Sequence, residues 1–134
     1  MNEDPQAALA AARVIAVLGA HDDPSRPAFY VPSYLNDHGY RVLPVNPGRV
    51  GVQLFGEPVT ATLAELAVPV DIVDVFRPGH ALPGHLDDLL AMKPLPRVVW
   101  FQSGVANAQV AASLRAAGIA VVEGRCAMVE HRRL

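Results

Sequence analysis

The sequence predicts an α/β domain built on a parallel sheet with helices on both faces. Three observations carry this. Five short β-branched runs punctuate the chain: Val14–Leu18, Arg41–Val45, Ile72–Phe76, Val98–Phe101 and Ile119–Val122. The runs are mostly apolar rather than alternating, as strands covered on both faces require. Helix-like or turn-rich segments separate them, and such strand–helix alternation gives an open parallel sheet. Right-handed crossovers leave few topologies, so a doubly wound, Rossmann-like sheet of about five strands in the order 3-2-1-4-5 is expected.

Each element has its own local reason. Asp4-Pro5 reads as an N-cap and first helical residue, opening a helix to about Arg13. Ala28 to His38 reads as a second helix ending at Gly39, a residue suited to the left-handed turn that stops helices. Pro32 fits there only if the helix starts near Ala28 or Phe29. Pro44 removes a ladder donor from the second run, which weakens it as a strand. Thr62 can cap a short turn through Leu66, and His80 to Met92 places Leu82, Leu86, Leu89 and Leu90 at helical spacing. Asn107 to Ala117 is alanine-rich and ends at Gly118. Residues 1–134 are expected to form one domain, with 1–13 as an amino-terminal helix packed on it.

Composition narrows the function. The 134 residues are 51% hydrophobic and 18% charged, with a net charge of −2. That excludes disorder, and it argues against a nucleic-acid module, which needs a basic stripe. A single cysteine excludes an internal disulfide framework and a cysteine zinc cage. The amino end is acidic where a signal peptide needs positive charge, and the longest uncharged run, Val98–Leu114, is too polar to span a bilayer. A cytoplasmic protein without membrane or nucleic-acid partners is expected; a protein partner or homo-oligomer is left open.

In doubly wound sheets ligands bind beyond the carboxyl ends of the strands, so those ends are the place to look. After the first strand come Gly19, Ala20 and His21, then Arg26-Pro27 at a helix start whose N–H groups suit a phosphate. This is half of a dinucleotide fingerprint, because His21 and Pro24 stand where two further glycines belong. The second strand ends in Asn46-Pro47-Gly48-Arg49. A dehydrogenase places an acid there for the ribose hydroxyls; Arg49 instead suits a phosphate near the sugar, as in NADP or coenzyme A. Phe76 offers an apolar wall and Arg77 a phosphate clamp after the third run, while Gln102-Ser103-Gly104 follow the fourth. Each feature alone has a bland reading, but the four strand ends converge on one crevice.

No Ser-His-Asp arrangement, P-loop or carboxylate pair emerges from the spacing, and no metal set does. Cys126 reads as a small buried hydrophobe, since His131 lies on another helical face.

Taken together, Gly19-Ala20…Pro24-x-Arg26-Pro27, Tyr34-Leu35-x-x-x-Gly39-Tyr40-x-Val42-x-Pro44-Val45-Asn46-Pro47, Asp71-Ile72-Val73-Asp74-Val75-Phe76-Arg77, Trp100-x-Gln102-x-Gly104 and Arg125-Cys126…Glu130-His131 resemble the small, single-domain CoA-binding proteins of the YccU-like type. The resemblance runs from about Arg13 to Leu134, with His21 where many relatives carry serine. That family is similar to the CoA-binding domain of the succinyl-CoA synthetase α subunit. The resemblance implies a CoA phosphate site at Gly19, Ala20 and His21, a basic contact at Arg49, and pantetheine contacts near Gln102, Ser103 and Gly104. The synthetase's phosphorylated histidine belongs to a second domain with no counterpart in these residues. The expected activity is binding of coenzyme A or an acyl-CoA without chemistry. The alternatives are an NAD(P)-binding oxidoreductase, or a regulatory or structural partner of an acyl-CoA enzyme.

Overall fold

The computed structural model describes residues 3–134. In chain order the elements are α1 (Pro5–Ala11), β1 (Val14–Leu18), α2 (Pro27–Asp37), β2 (Arg41–Val45), β3 (Gln53–Leu54), β4 (Glu57–Pro58), β5 (Ile72–Val75), α3 (Leu86–Leu90), β6 (Val98–Phe101), α4 (Ala108–Ala116), β7 (Ala120–Val122) and α5 (Ala127–His131). Five strands form a parallel sheet in the order β2-β1-β5-β6-β7, and β3 pairs antiparallel with β4. No helix of the described residues is long and apolar enough to cross a membrane.

The doubly wound sheet is the expected one, with a correction to which segment fills which place. Thr60 makes a lone parallel bridge to Val45, on the outer side of β2. Counted as the third member, that segment yields the Rossmann order 3-2-1-4-5, continued by β7. Ile72–Val75 is therefore the fourth member, beside β1, and not the third. A single bridge flanked by turns leaves no apolar run in the sequence, so counting runs passes over it.

Strand residues supply two cores, one on each face. Val73, Val75, Val99 and Phe101 pack with Leu89 of α3 and Leu114 of α4. Val17, Ile72 and Trp100 pack on the other face with Leu9 of α1, Val31 and Leu35 of α2, and Ala127 of α5. Asp4 caps α1 by accepting from Gln6 N–H and Ala7 N–H. Of the amino-terminal segment 1–13, residues 1 and 2 lie outside the described residues.

Two prolines explain departures from simple helices. Pro32 sits inside α2, which begins at Pro27, so the Ala28 carbonyl loses its intrahelical donor. The His21 N–H takes that place at 3.3 Å, tying the loop after β1 to the helix. Further on, the single helix expected over His80–Met92 is a 3₁₀ segment, Gly79–His85, followed by the short α3. Pro83 lies within the first piece and cannot join an α-helical ladder.

The loops after β5 and β6 are bolted together. Gly79 leaves no room for a side chain, because a Cβ there would overlap the carbonyl of Ala106. Asn107 donates to the Gly79 carbonyl at 3.0 Å and, with its own oxygen, accepts from Val110 N–H to cap α4.

Candidate functional site

The site begins where β1 and β5 end side by side. Gly19 has φ +88°, and a Cβ on it would meet Arg77 Cδ at 3.0 Å and the Phe76 carbonyl at 3.1 Å. Glycine is thus needed twice, for the left-handed turn and for the close approach of the β5 loop. The neighbouring amides have protein acceptors: Gly19 and Ala20 donate to Val45, as His21 does to Ala28. Asn46 ties this turn to the next loop, donating to the Ala20 carbonyl at 2.9 Å and accepting from Gly48 N–H. An anion here must therefore be met chiefly by side chains.

Arg49 reaches back over the same turn. Its Nη2 lies 2.6 Å from His21 Nε2, and its Nε lies 3.3 Å from an Asp22 oxygen. The Asp23 N–H points at His21 Nδ1 from 2.9 Å. A neutral imidazole has one acceptor nitrogen, so it cannot receive both the Asp23 amide and the guanidinium. The Asp22 and Asp23 carboxylates supply acceptors in the same turn, Asp22 facing Arg49 and Asp23 accepting from Ser25, so a phosphate here competes with Asp22 for the guanidinium.

Arg77 stands at the centre. It lines a small cavity of about 110 Å³ together with Gly19, Asn46, Pro47 and His85. On its other side it lines a cleft of about 750 Å³ that extends past Phe76 and Gln102 to Cys126. Arg77 Nε donates to His85 Nε2 at 3.4 Å. Burial, assisted by the Arg77 charge and opposed by Asp88, lowers the His85 pKa and keeps this acceptor available.

The cleft runs between the first turns of α2 and α5. Arg26 and Pro27 line it at the start of α2, and the exposed Ser103 and Gly104 line it after β6. Gln102 is 5% exposed, and its side-chain oxygen accepts from Ala127 N–H at 2.9 Å, fixing the start of α5. Cys126 is only half-buried and lines the cleft, a correction to its reading as a core residue.

A CoA binding domain model matches residues 13–132. The chain belongs to this CoA-binding family. A Bacillus subtilis protein named YneT, described as uncharacterized, is 34% identical over 117 residues, covering 87% of this chain and 84% of that one. A solved structure from Thermus thermophilus is 54% identical with a TM-score of 0.92, covering 98% of each chain. A hypothetical protein from Pyrococcus horikoshii is 31% identical with a TM-score of 0.89, covering 100% of this chain and 92% of its own.

Within this CoA-binding fold, the residues singled out from sequence fall into three groups. Arg26, Pro27, Phe76, Gln102, Ser103 and Gly104 line the large cleft, with Arg77 shared between both spaces. Gly19, Asn46 and Pro47 line the small cavity. Ala20, His21 and Arg49 line neither; Ala20 is fully buried, and the other two meet at the turn after β1. Sequence reasoning missed Tyr30, Val31, Val105, Met128 and Val129 on the cleft, and His85 behind Arg77. Tyr30 and Val31 had a usable signal, being near the start of a helix that follows a glycine turn.

Asp74 is the other polar exception. It sits on β5 between Val17 and Trp100 in register, 1% exposed, and neither carboxylate oxygen has a hydrogen-bond partner. Burial raises its pKa well above the ordinary carboxylate range.

Proposed function

We propose that this protein binds coenzyme A or an acyl-CoA in the crevice along the carboxyl ends of its strands, without chemistry of its own. The observation that carries the reading is Arg77, a guanidinium shared by two adjoining spaces. A ligand with a nucleotide at one end, a diphosphate in the middle and a long arm at the other matches that layout. The adenosine lies over the mouth of the small cavity at Asn46 and Pro47, which is too small to enclose it, and the diphosphate meets Arg77 and Arg26 above the Gly19 turn. The pantetheine arm passes Phe76, Gln102, Ser103 and Gly104, and its thiol faces Cys126. Arg49, beside His21, takes the ribose 3′-phosphate. Asn46 in place of an acid at the end of β2 disfavours a nicotinamide cofactor, whose ribose hydroxyls want a carboxylate. Among the described residues, the titratable side chains lining the cleft are Arg26, Arg77, Tyr30 and Cys126, and the roles we give them are those of ligand contacts. The compartment we assign is a reducing cytoplasm.

Mass spectrometry of the gently unfolded protein should release CoA or an acyl-CoA, and titration calorimetry should show CoA bound more tightly than NADH. Arg77→Ala should weaken CoA binding about thirtyfold, or about 2 kcal/mol, as expected for losing charged hydrogen bonds. Tighter binding of NADH, or an Arg77→Ala protein with undiminished CoA affinity, sinks the assignment.

A further inference from the structure

The crevice changes character along its length, and strand order fixes the direction of the change. Arg26 and Arg77 stand by the ends of β1 and β5, and Gln102 and Ser103 by the end of β6. Val105 follows β6, while Cys126, Met128 and Val129 follow β7. From β1 to β7 is three inter-strand spacings, roughly 14 Å. Beyond Gln102 no charged side chain among the described residues lines the cleft. Arg125, the nearest cation in sequence, instead approaches Glu130, with 3.8 Å between nitrogen and oxygen.

Across the cleft, α2 contributes Tyr30 and Val31 to the lining. Tyr30 is 42% exposed and Val129 39%, although both border a concave space. Single exposed hydrophobes need no explanation, but apolar groups gathered around one cavity mark a site for an apolar ligand. A thiol alone leaves that apolar wall uncovered, and a carboxylate there finds no cation.

We infer that the cleft takes an acyl-CoA whose acyl group is an uncharged hydrocarbon chain, lying against Val105, Met128 and Val129. The inference rests on the CoA reading above and adds the class of acyl group. Hydrocarbon removed from water at this wall raises affinity by up to about fourfold per buried methylene. A terminal carboxylate would be desolvated there without a partner.

Calorimetry of the full chain with CoA, butyryl-CoA, hexanoyl-CoA and succinyl-CoA tests it. Hexanoyl-CoA should bind about tenfold more tightly than CoA, since several methylenes are buried. Butyryl-CoA should fall between them, and succinyl-CoA should gain nothing over CoA. In Val129→Asp the ratio of hexanoyl-CoA to CoA affinity should collapse to about one, as the new carboxylate wets the wall. Equal affinity for CoA and hexanoyl-CoA, or tightest binding of succinyl-CoA, overturns the acyl assignment and leaves the CoA reading standing. Failure of every one of these ligands to bind overturns both.

Discussion

The two faces of the sheet are built from different materials. On the α3–α4 side the core is almost wholly aliphatic, with Phe101 as its aromatic member. On the α1–α2–α5 side it holds Trp100 and Tyr40, and the buried carboxyls of Asp74 and Glu130 interrupt it. Glu130 is reached by Arg133 at 3.1 Å and Arg125 at 3.8 Å, whereas Asp74 has no hydrogen-bond partner among the described residues. Tyr34 stacks on His38 and shares a hydrogen bond with His131, linking α2 to α5. Burial, with a smaller contribution from His38, lowers the His131 pKa. The helices that wall the cleft thus add polar and aromatic contacts to their apolar packing, while the opposite face relies on close-packed hydrocarbon.

The largest expected effect tests the hydrocarbon side. Leu114 is fully buried on α4, and Leu114→Ala should remove about 3 kcal/mol of stability through lost transfer and a residual cavity. Denaturant melts should show that loss, while calorimetry shows unchanged CoA affinity. A large fall in affinity would erase the division between the faces.

Asp74 sharpens the other side. Its folded-state pKa is raised, so the buried acid costs nothing extra below the ordinary carboxyl pKa, near 4. As pH rises beyond that, the unfolded chain ionises while the folded one stays protonated. Stability is then lost by up to about 1.4 kcal/mol per pH unit, until the folded carboxyl also ionises. Asp74→Asn should lack this component, so melts of the two proteins should diverge with rising pH, the variant ending more stable. Parallel curves would mean that Asp74 ionises normally.

The smallest effect concerns the turn that feeds the polar side. Arg49→Ala should weaken CoA binding by about 1 kcal/mol, roughly fivefold, because the guanidinium is at a screened rim. Dephospho-CoA, which lacks the 3′-phosphate, should be unaffected. Equal losses for both ligands would make Arg49 a clasp for His21 rather than a phosphate reader.

Legibility in the sequence follows the range of the interactions. Continuous apolar runs such as Val98–Phe101 announce strands buried on both faces, because that burial acts on every residue of the run. The bridge at Thr60 depends on a single pairing with Val45 and left no such trace, which displaced Ile72–Val75 in the inferred order. Leucine spacing over His80–Met92 was real, since Leu82 and Leu89 are buried, but Pro83 decided the backbone. Residues at strand ends were found because the fold class says where to look. The apolar wall was not, because Tyr30 and Val129 come from helices that meet only after folding.

The union of Gly79 with Ala106 and Asn107 has a kinetic consequence. Two loops that carry Arg77 on one side and Gln102 to Val105 on the other are locked before any ligand arrives. The conformational entropy of ordering them is lost during folding rather than during association. Encounter should then proceed without a slow rearrangement, at rates typical of rigid partners and quickened by Arg26 and Arg77 drawing in an anionic ligand.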